Sequence, residues 1–231
     1  MARREYKDGV ITIFHLSSSR SERIVWLMEE LGLDYRLEFH QREPTGASPP
    51  AYKAMHALGK APVIRDGDAV IAESGAIVEY VVRRHAGGRL AVAPDHPDYA
   101  DYIYWMHFAE GSLMSLMLIA LVISRIPEAK DSPVRARVLE RMKQMLAFVD
   151  GELAGRDYFA GNAFSAADVM MVFPFTTMRR YLDYDIAPYA NIVAYLGRIA
   201  ARPAYRKAMQ LAGPDASANV NRSGGSSSPG C

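Results

Sequence analysis

Gly59-Lys60-Ala61-Pro62-Val63-Ile64-Arg65-Asp66-Gly67-Asp68-Ala69-Val70-Ile71-Ala72-Glu73-Ser74-Gly75-Ala76-Ile77 decides the fold. Two short apolar runs, 61–64 and 69–71, flank Arg65-Asp66-Gly67-Asp68. Asp-Gly between such runs is a strong hairpin signal. The periodicity then changes from two to 3.6. Residues 74–84 read as a helix with Ile77, Val78 and Val81 turned inward.

The chain on either side extends this strand–strand–helix unit. Residues 10–14 are β-branched and aromatic, a strand candidate. Ile24, Leu27, Met28 and Leu31 follow at i, i+3, i+4 and i+7, a one-faced helix that Gly32 stops. Residues 35–39 alternate and form a second strand, parallel to the first across the helical crossover. Residues 41–50 are a loop rich in Pro, Gly and Ser. The order β-α-β-loop-β-β-α predicts a small mixed sheet packed with helices. Residues 87–97, with Gly87, Gly88, Pro94 and Pro97, read as a linker that closes a first domain at residue 86.

Strand signals vanish beyond Pro97. Residues 98–126 form one long helical pattern ended by Pro127, and 133–153 a second with Pro133 in its first turn. Val138, Met142, Met145, Leu146 and Val149 give the second its buried stripe. Further helices are expected over 165–181, 191–201 and 203–211, so 98–212 reads as an all-α bundle. The composition of 213–231 cannot bury enough apolar surface to order itself, and that tail is expected to be mobile.

The 231 residues are 50% hydrophobic and 23% charged, a globular balance. With 27 basic against 26 acidic residues there is no basic excess to grip nucleic acid. No stretch reaches about 18 unbroken apolar residues, so no membrane partner is expected. The charged first nine residues carry no apolar signal core, and the expected location is cytoplasmic. The lone cysteine is Cys231, which removes disulfide frameworks, CxxC redox pairs and thiolate zinc sites. Any sulfur chemistry must use a thiol that the protein binds.

Three places carry chemistry. The first is His15-Leu16-Ser17-Ser18-Ser19-Arg20-Ser21-Glu22-Arg23. Ser19 and Glu22 match a capping box, which makes Ser19 the expected N-cap and leaves Ser17 and Ser18 outside the helix mouth. Free amides and the positive dipole end gather there. A thiol held at such a mouth loses its proton more readily, and a neighbouring hydroxyl can donate to the thiolate. Turn and capping chemistry alone accounts for the same serines. A Ser–His–Asp triad is the rival use, but no G-x-S-x-G elbow is present. The second place is Ala61-Pro62, where a cis bond would turn the Ala61 backbone outward to pair with an extended peptide; a trans proline at a strand edge is the plain alternative. At the third, Ser74 caps a helix whose amides suit a carboxylate while Glu73 suits an ammonium, the two halves of an α-amino-acid clamp. A simple N-cap with an acidic neighbour reads the same. Phe164-Ser165-Ala166-Ala167-Asp168 is a capping-box variant with Phe164 placed to staple onto Val169, and it is structural.

In order and spacing, these features together resemble the cytosolic glutathione S-transferases. The serine-rich turn opens the first helix, Lys60-Ala61-Pro62-Val63 is similar to the family's cis-proline loop, and Glu73-Ser74 before Ala76-Ile77 is similar to its glutamyl-binding motif. Phe164-Ser165 with Asp168 matches its helix-capping signature, and residues 104–114 (YWMHFAEGSLM) are similar to a fungal and bacterial subgroup. His56-Ala57 departs from the Asn-Pro frequent in the family at that point. The resemblance implies an α/β thioredoxin-like N-terminal domain that holds glutathione and an all-α helical bundle C-terminal domain. It implies a backbone pairing of Ala61 with the cysteinyl unit, a cis Pro62, Glu73 and Ser74 on the γ-glutamyl end and Lys60 on the glycyl carboxylate. Counting five residues back from Arg23 assigns Ser18 as the catalytic, thiol-activating hydroxyl, flanked by Ser17 and Ser19. With neither tyrosine nor cysteine in that turn, the resemblance is to a serine-type enzyme.

Trp105, Phe108 and Met114, with Met117, are its candidates for the electrophile pocket. The implied activity is a detoxifying conjugation of glutathione, the co-substrate, to small hydrophobic electrophiles, with glutathione peroxidase activity beside it. A glutathione-dependent isomerase or disulfide reductase, or a non-catalytic ligand-binding relative, stands as the alternative. A homodimer is implied, and no metal.

Overall fold

Strand β1, Ile11–Leu16, is buried along its whole length and forms the middle of the sheet. The chain leaves it through a serine turn into helix α1, Glu22–Leu31, and returns as β2, Tyr35–His40. β2 lies parallel to β1 with Ile11 opposite Tyr35 and Leu16 opposite His40. Gly32 ends α1 at φ 61, and its N–H and that of Leu33 reach back to the Glu29 and Met28 carbonyls. Only a residue tolerant of the left-handed region closes a helix in this way. The structure is a computed structural model that describes residues 9–216 and the backbone pair 223–224.

The short helix α2, Pro50–Lys53, docks on β1 through Tyr52, whose hydroxyl donates to the Phe14 carbonyl at 3.2 Å. Strands β3, Val63–Asp66, and β4, Ala69–Ala72, form the expected hairpin around Gly67, with β3 antiparallel to β1. Helix α3, Ser74–Arg84, follows at once and buries Ile77, Val78, Val81 and Val82. The sheet order is β4-β3-β1-β2, extended by a two-residue strand β5, Ser223–Gly224, on β2. The rest of the expected mobile tail beyond residue 216 lies outside the described residues.

The second unit, Leu90–Ala201, is helical. It contains α4, Tyr99–Phe108, α5, Ser115–Ser124, α6, Pro133–Glu152, α7, Ala166–Phe175, and α8, Ala190–Ala201. The single pattern expected over 98–126 is one continuous rod, but Ala109–Met114 between α4 and α5 is π-helical. By length and composition this rod, Tyr99–Ser124, is apolar enough to cross a membrane, which no unbroken apolar run in the sequence foretold. In the structure Trp105, Met114 and Met117 on it are buried core. Helix α6 starts on Ser132, which accepts Val134 N–H, and of the expected stripe it buries Met142, Leu146 and Val149, while Val138 and Met145 are half-buried. The last helix, α9, Pro203–Ala212, departs from expectation: it belongs with the first unit, not the bundle. Trp26 meets Tyr205 edge-on at 4.9 Å, Arg202 grips Glu30 with two contacts of 2.7 Å, and Lys207 reaches Glu29 at 2.8 Å. Those partners sit 172 or more residues apart in sequence, so no local pattern announces them.

The capping box at Ser165 and Asp168 forms as read, while Phe164 packs edge-on against Tyr158 at 5.6 Å. Asp168 is fully buried and collects four donors: Phe159 N–H and the Tyr195 hydroxyl on Oδ1, Ser165 N–H and hydroxyl on Oδ2. Burial raises its carboxyl to about 6 against the pull of those bonds, so it is ionised at neutral pH. We expect Asp168→Asn to lose about 3 kcal/mol at pH 7, because its amide turns two buried donors into orphans. Chemical denaturation checks this, and a loss under about 1 kcal/mol contradicts it. The folded state also holds this proton more tightly than an unfolded aspartate at about 3.9. Its contribution is therefore complete below about pH 4 and falls as pH rises to 6, so the gap between wild type and variant narrows over that window.

Candidate functional site

Hairpin register builds the site. Val63 pairs with Ala72, Ile64 with Ile71 and Asp66 with Ala69. One step past the last pair, Pro62 and Glu73 therefore stand side by side at the open end of the hairpin. An open pocket lies there, lined by Arg20, His56, Leu58, Lys60, Ala61, Pro62, Ala72, Glu73 and Ser74. Five of the six residues expected to bind the tripeptide, Lys60, Ala61, Pro62, Glu73 and Ser74, share this one pocket; Ser18 is not in its lining. The Ala61–Pro62 peptide is cis.

Glu73 occupies the left-handed region at φ 72 and is exposed, with its backbone carbonyl accepting Ile77 N–H. A non-glycine residue there costs on the order of 1–3 kcal/mol and marks a conformation set by its surroundings. Ser74 differs from the reading. It is the first helical residue, not the cap, and it is buried at 2% exposure with its Oγ accepting Arg23 Nη1 at 3.4 Å. This helix mouth thus presents the Glu73 carboxylate and the first backbone amides of α3, which have no acceptor within the helix. Lys60 is exposed at the rim. Arg20 was missed. It follows the three serines in the turn, and only the fold brings it to Lys60 and Glu73. The pocket lining therefore carries two basic side chains, Arg20 and Lys60, and one carboxylate, Glu73.

The serine turn also differs from the reading. Helix α1 starts at Glu22, and Ser21 before it makes no side-chain cap. Ser19 stands two residues before that position; its hydroxyl donates to the Leu16 carbonyl at 2.7 Å and accepts the Ser21 N–H at 3.3 Å. Ser17 is buried and its Oγ accepts Arg42 N–H at 3.0 Å, while Arg42 Nε donates to the Ser17 carbonyl at 3.0 Å. Ser18 alone of the three is partly exposed. It sits at φ 49, its hydroxyl 3.5 Å from the Pro214 carbonyl.

In the helical unit the expected electrophile wall is instead core. Trp105 and Met114 are 1% and 2% exposed, and Met117 is fully buried. Trp105 meets Phe159, Phe108 and Phe148 at 4.8, 5.0 and 6.1 Å between ring centres. Phe108, 8% exposed, also stacks on the exposed ring of Tyr104 at 5.4 Å. Large apolar side chains at helical spacing look alike whether they line a pocket or fill a core, and here packing claims them. Among the described residues no group of three or more His, Cys, Asp or Glu side chains is placed to hold a metal ion.

Residues 17–84 match the model of the glutathione S-transferase N-terminal domain, and 113–203 match that of the C-terminal domain. The chain is 34% identical over 214 residues to glutathione S-transferase 3 of Schizosaccharomyces pombe, covering 87% of each. It is 28% identical to glutathione S-transferase 1 of Saccharomyces cerevisiae, over 71% of this chain and 79% of that one. A crystal structure of a glutathione S-transferase from Actinobacillus pleuropneumoniae is 36% identical with a TM-score of 0.81, covering 89% of this chain and 95% of that one. A sphingomonad glutathione S-transferase solved in complex with glutathione is 28% identical with a TM-score of 0.69, over 87% and 98%.

Proposed function

This chain belongs to the glutathione S-transferase family, and on that premise we propose that it ionises bound glutathione at Ser18 and conjugates the thiolate to small apolar electrophiles. The observation that carries this is the charge and shape of the hairpin pocket. Glutathione presents two carboxylates and one ammonium; the pocket offers two basic side chains and one carboxylate around the Ala61–Pro62 step. The γ-glutamyl ammonium pairs with Glu73. Its α-carboxylate takes the opening amides of α3 with Arg20, a charge-assisted arrangement at a helix N-terminus. Lys60 meets the glycyl carboxylate. The backbone of Ala61 pairs with the cysteinyl unit as an added strand does.

The burial of Ser17 and Ser19, against the partial exposure of Ser18, favours Ser18 as the donor to sulfur. A free thiol at about 8.5 is a few per cent ionised at pH 7. One hydroxyl donor beside a helix start that lowers this by about one unit raises the thiolate fraction about tenfold. The thiolate then attacks the electrophilic carbon, and the leaving group departs with the electron pair. With a peroxide the thiolate attacks oxygen, the O–O bond breaks and the alkoxide leaves to take up a proton; the glutathione sulfenic acid so formed condenses with a second glutathione to give glutathione disulfide and water.

The exposed row Leu118, Ile119, Val122 and Ile126 on and after α5 is the surface we assign to a homodimer, since four apolar side chains, 40–60% exposed, line it within nine residues.

Ser18→Ala is expected to lower kcat with chlorodinitrobenzene about tenfold and raise the pKa of bound thiol by about one unit while glutathione affinity holds. A thiolate-absorbance titration reads this, and unchanged titration in the variant removes Ser18 from the role. Calorimetry is expected to show about tenfold weaker glutathione binding for Arg20→Ala and again for Glu73→Ala, each losing one charged contact of about 1.4 kcal/mol. A variant with unaltered affinity is not a ligand contact. Light scattering should give the mass of two chains for wild type and of one for Ile119→Asp with Val122→Asp; a dimeric variant places the interface elsewhere.

A further inference from the structure

The turn between β1 and α1 holds an imidazole and two hydroxyls that conjugation leaves unused. Ser21 Oγ accepts Leu16 N–H at 3.1 Å and lies 2.8 Å from His15 Nδ1 and 2.7 Å from Ser19 Oγ. Ser19 Oγ lies 2.7 Å from the Leu16 carbonyl. A carbonyl only accepts, so the Ser19 proton goes to Leu16. The contact between the two hydroxyls then uses the Ser21 proton. Ser21 Oγ is left as an acceptor toward the ring, and Nδ1 of His15 carries a hydrogen. Each short contact in the group now holds one proton. The other tautomer turns the Ser21 proton to Nδ1, sets two hydroxyl lone pairs against each other at 2.7 Å and buries an Nε2–H. No hydrogen-bond partner faces that nitrogen.

We propose that His15 is a positioning residue for Ser18: its Nδ1–H directs the chain from Ser21 hydroxyl to Ser19 hydroxyl to Leu16 carbonyl, and that chain holds the turn on which Ser18 occupies the left-handed region. The proposal rests on the reading that Ser18 ionises the thiol. The chain closes residues 16–21 on themselves. From the other side Ser17 N–H donates to the His40 carbonyl at 2.9 Å and Arg42 holds the Ser17 carbonyl. Ser18 is the apex between these two sets of bonds. His15 itself is fully buried against Phe39, ring centres 4.8 Å apart, and the titratable groups acting on it are His40 and Arg42. Burial first, then those two neighbours, lowers it to about 3. The ring is therefore neutral throughout any assay near neutrality, and a shift in the pH–rate profile reports the bound thiol, not His15.

Three substitutions separate hydrogen bonding from space filling. Asparagine can set an amide N–H near the Nδ1 position, glutamine reaches the Nε2 position, and phenylalanine donates at neither. His15→Phe and His15→Gln are expected to raise the pKa of bound glutathione by about one unit and lower kcat with chlorodinitrobenzene about tenfold. The KM for glutathione should stay within about twofold, because the hairpin pocket is untouched. His15→Asn should keep most of the wild-type profile. An unmoved thiol titration in His15→Phe, or equal loss in Asn and Phe variants, overturns the proposal. Ring-nitrogen NMR of unliganded wild type is the second measurement and needs no folded variant. It should show His15 protonated at Nδ1, and protonation at Nε2 overturns the hydrogen-bond chain. Wild type that binds glutathione without ionising it defeats the proposed function instead, while the ring spectrum still decides the chain.

Discussion

The two-residue Gly67-Asp68 turn fixes the register of the β3–β4 hairpin, and the candidate binding pocket depends on that register. Pairing Val63 with Ala72 leaves Pro62 beside Glu73, and the pocket forms where those neighbours diverge. A slip of one residue would turn every side chain of β4 to the opposite face. Glu73 would then leave Ala61, and α3 would present a different face to the sheet. The buried row Ile77, Val78, Val81 and Val82 resists such a slip, since it can pack only with α3 in one rotation. Core packing at one end of the segment thus secures polar geometry at the other.

The serine turn is built on a different principle. No strand ladder runs through it; side-chain hydroxyls join a few backbone bonds in holding it. Ser19, Ser21 and Ser17 each bond to backbone within the turn or to the strand beside it. Their inward engagement leaves Ser18 at the surface. Three consecutive serines are therefore not interchangeable, although their chemistry is the same. Position relative to the end of β1 separates them: Ser17 still bonds to His40 at the end of the buried strand, and Ser19 is buried where the chain turns back into α1.

The contrast between two similar motifs shows how far the sequence could be read. Ser165-x-x-Asp168 and Ser19-x-x-Glu22 carry the same signature, and the first is a full capping box on the residue directly before its helix, while Ser19 stands two residues upstream of that position. Ser165 is extended at φ −139 and ψ 174, the geometry from which a side chain reaches forward to a helix. In the other case Ser21, directly before the helix, already has helical angles, and the Ser19 hydroxyl donates backward to Leu16 while accepting the N–H of Ser21, short of the helix itself. The motif records composition, while the backbone path into the helix decides its use. The strands, the hairpin and α3 were legible because periodicity and the Asp-Gly turn are local. The docking of α9 on α1, the place of Arg20 in the pocket and the burial of Trp105 were not. Each depends on a partner remote in the chain or on which side of an all-apolar helix faces the core.

Binding and activation accordingly rest on separate pieces of the first unit. The hairpin mouth supplies charge: Arg20 and Lys60 against Glu73, exposed enough to exchange water for a charged peptide. The turn supplies one partly exposed hydroxyl and a fixed backbone. This division has a physical basis. A carboxylate near the sulfur would oppose its ionisation, whereas a carboxylate at the γ-glutamyl ammonium, the far end of the tripeptide, adds affinity with little effect on the thiol, because exposed charges about 10 Å apart are largely screened. Keeping Glu73 at the hairpin and neutral hydroxyls at the turn lets one ligand be gripped by charge at one end and deprotonated at the other.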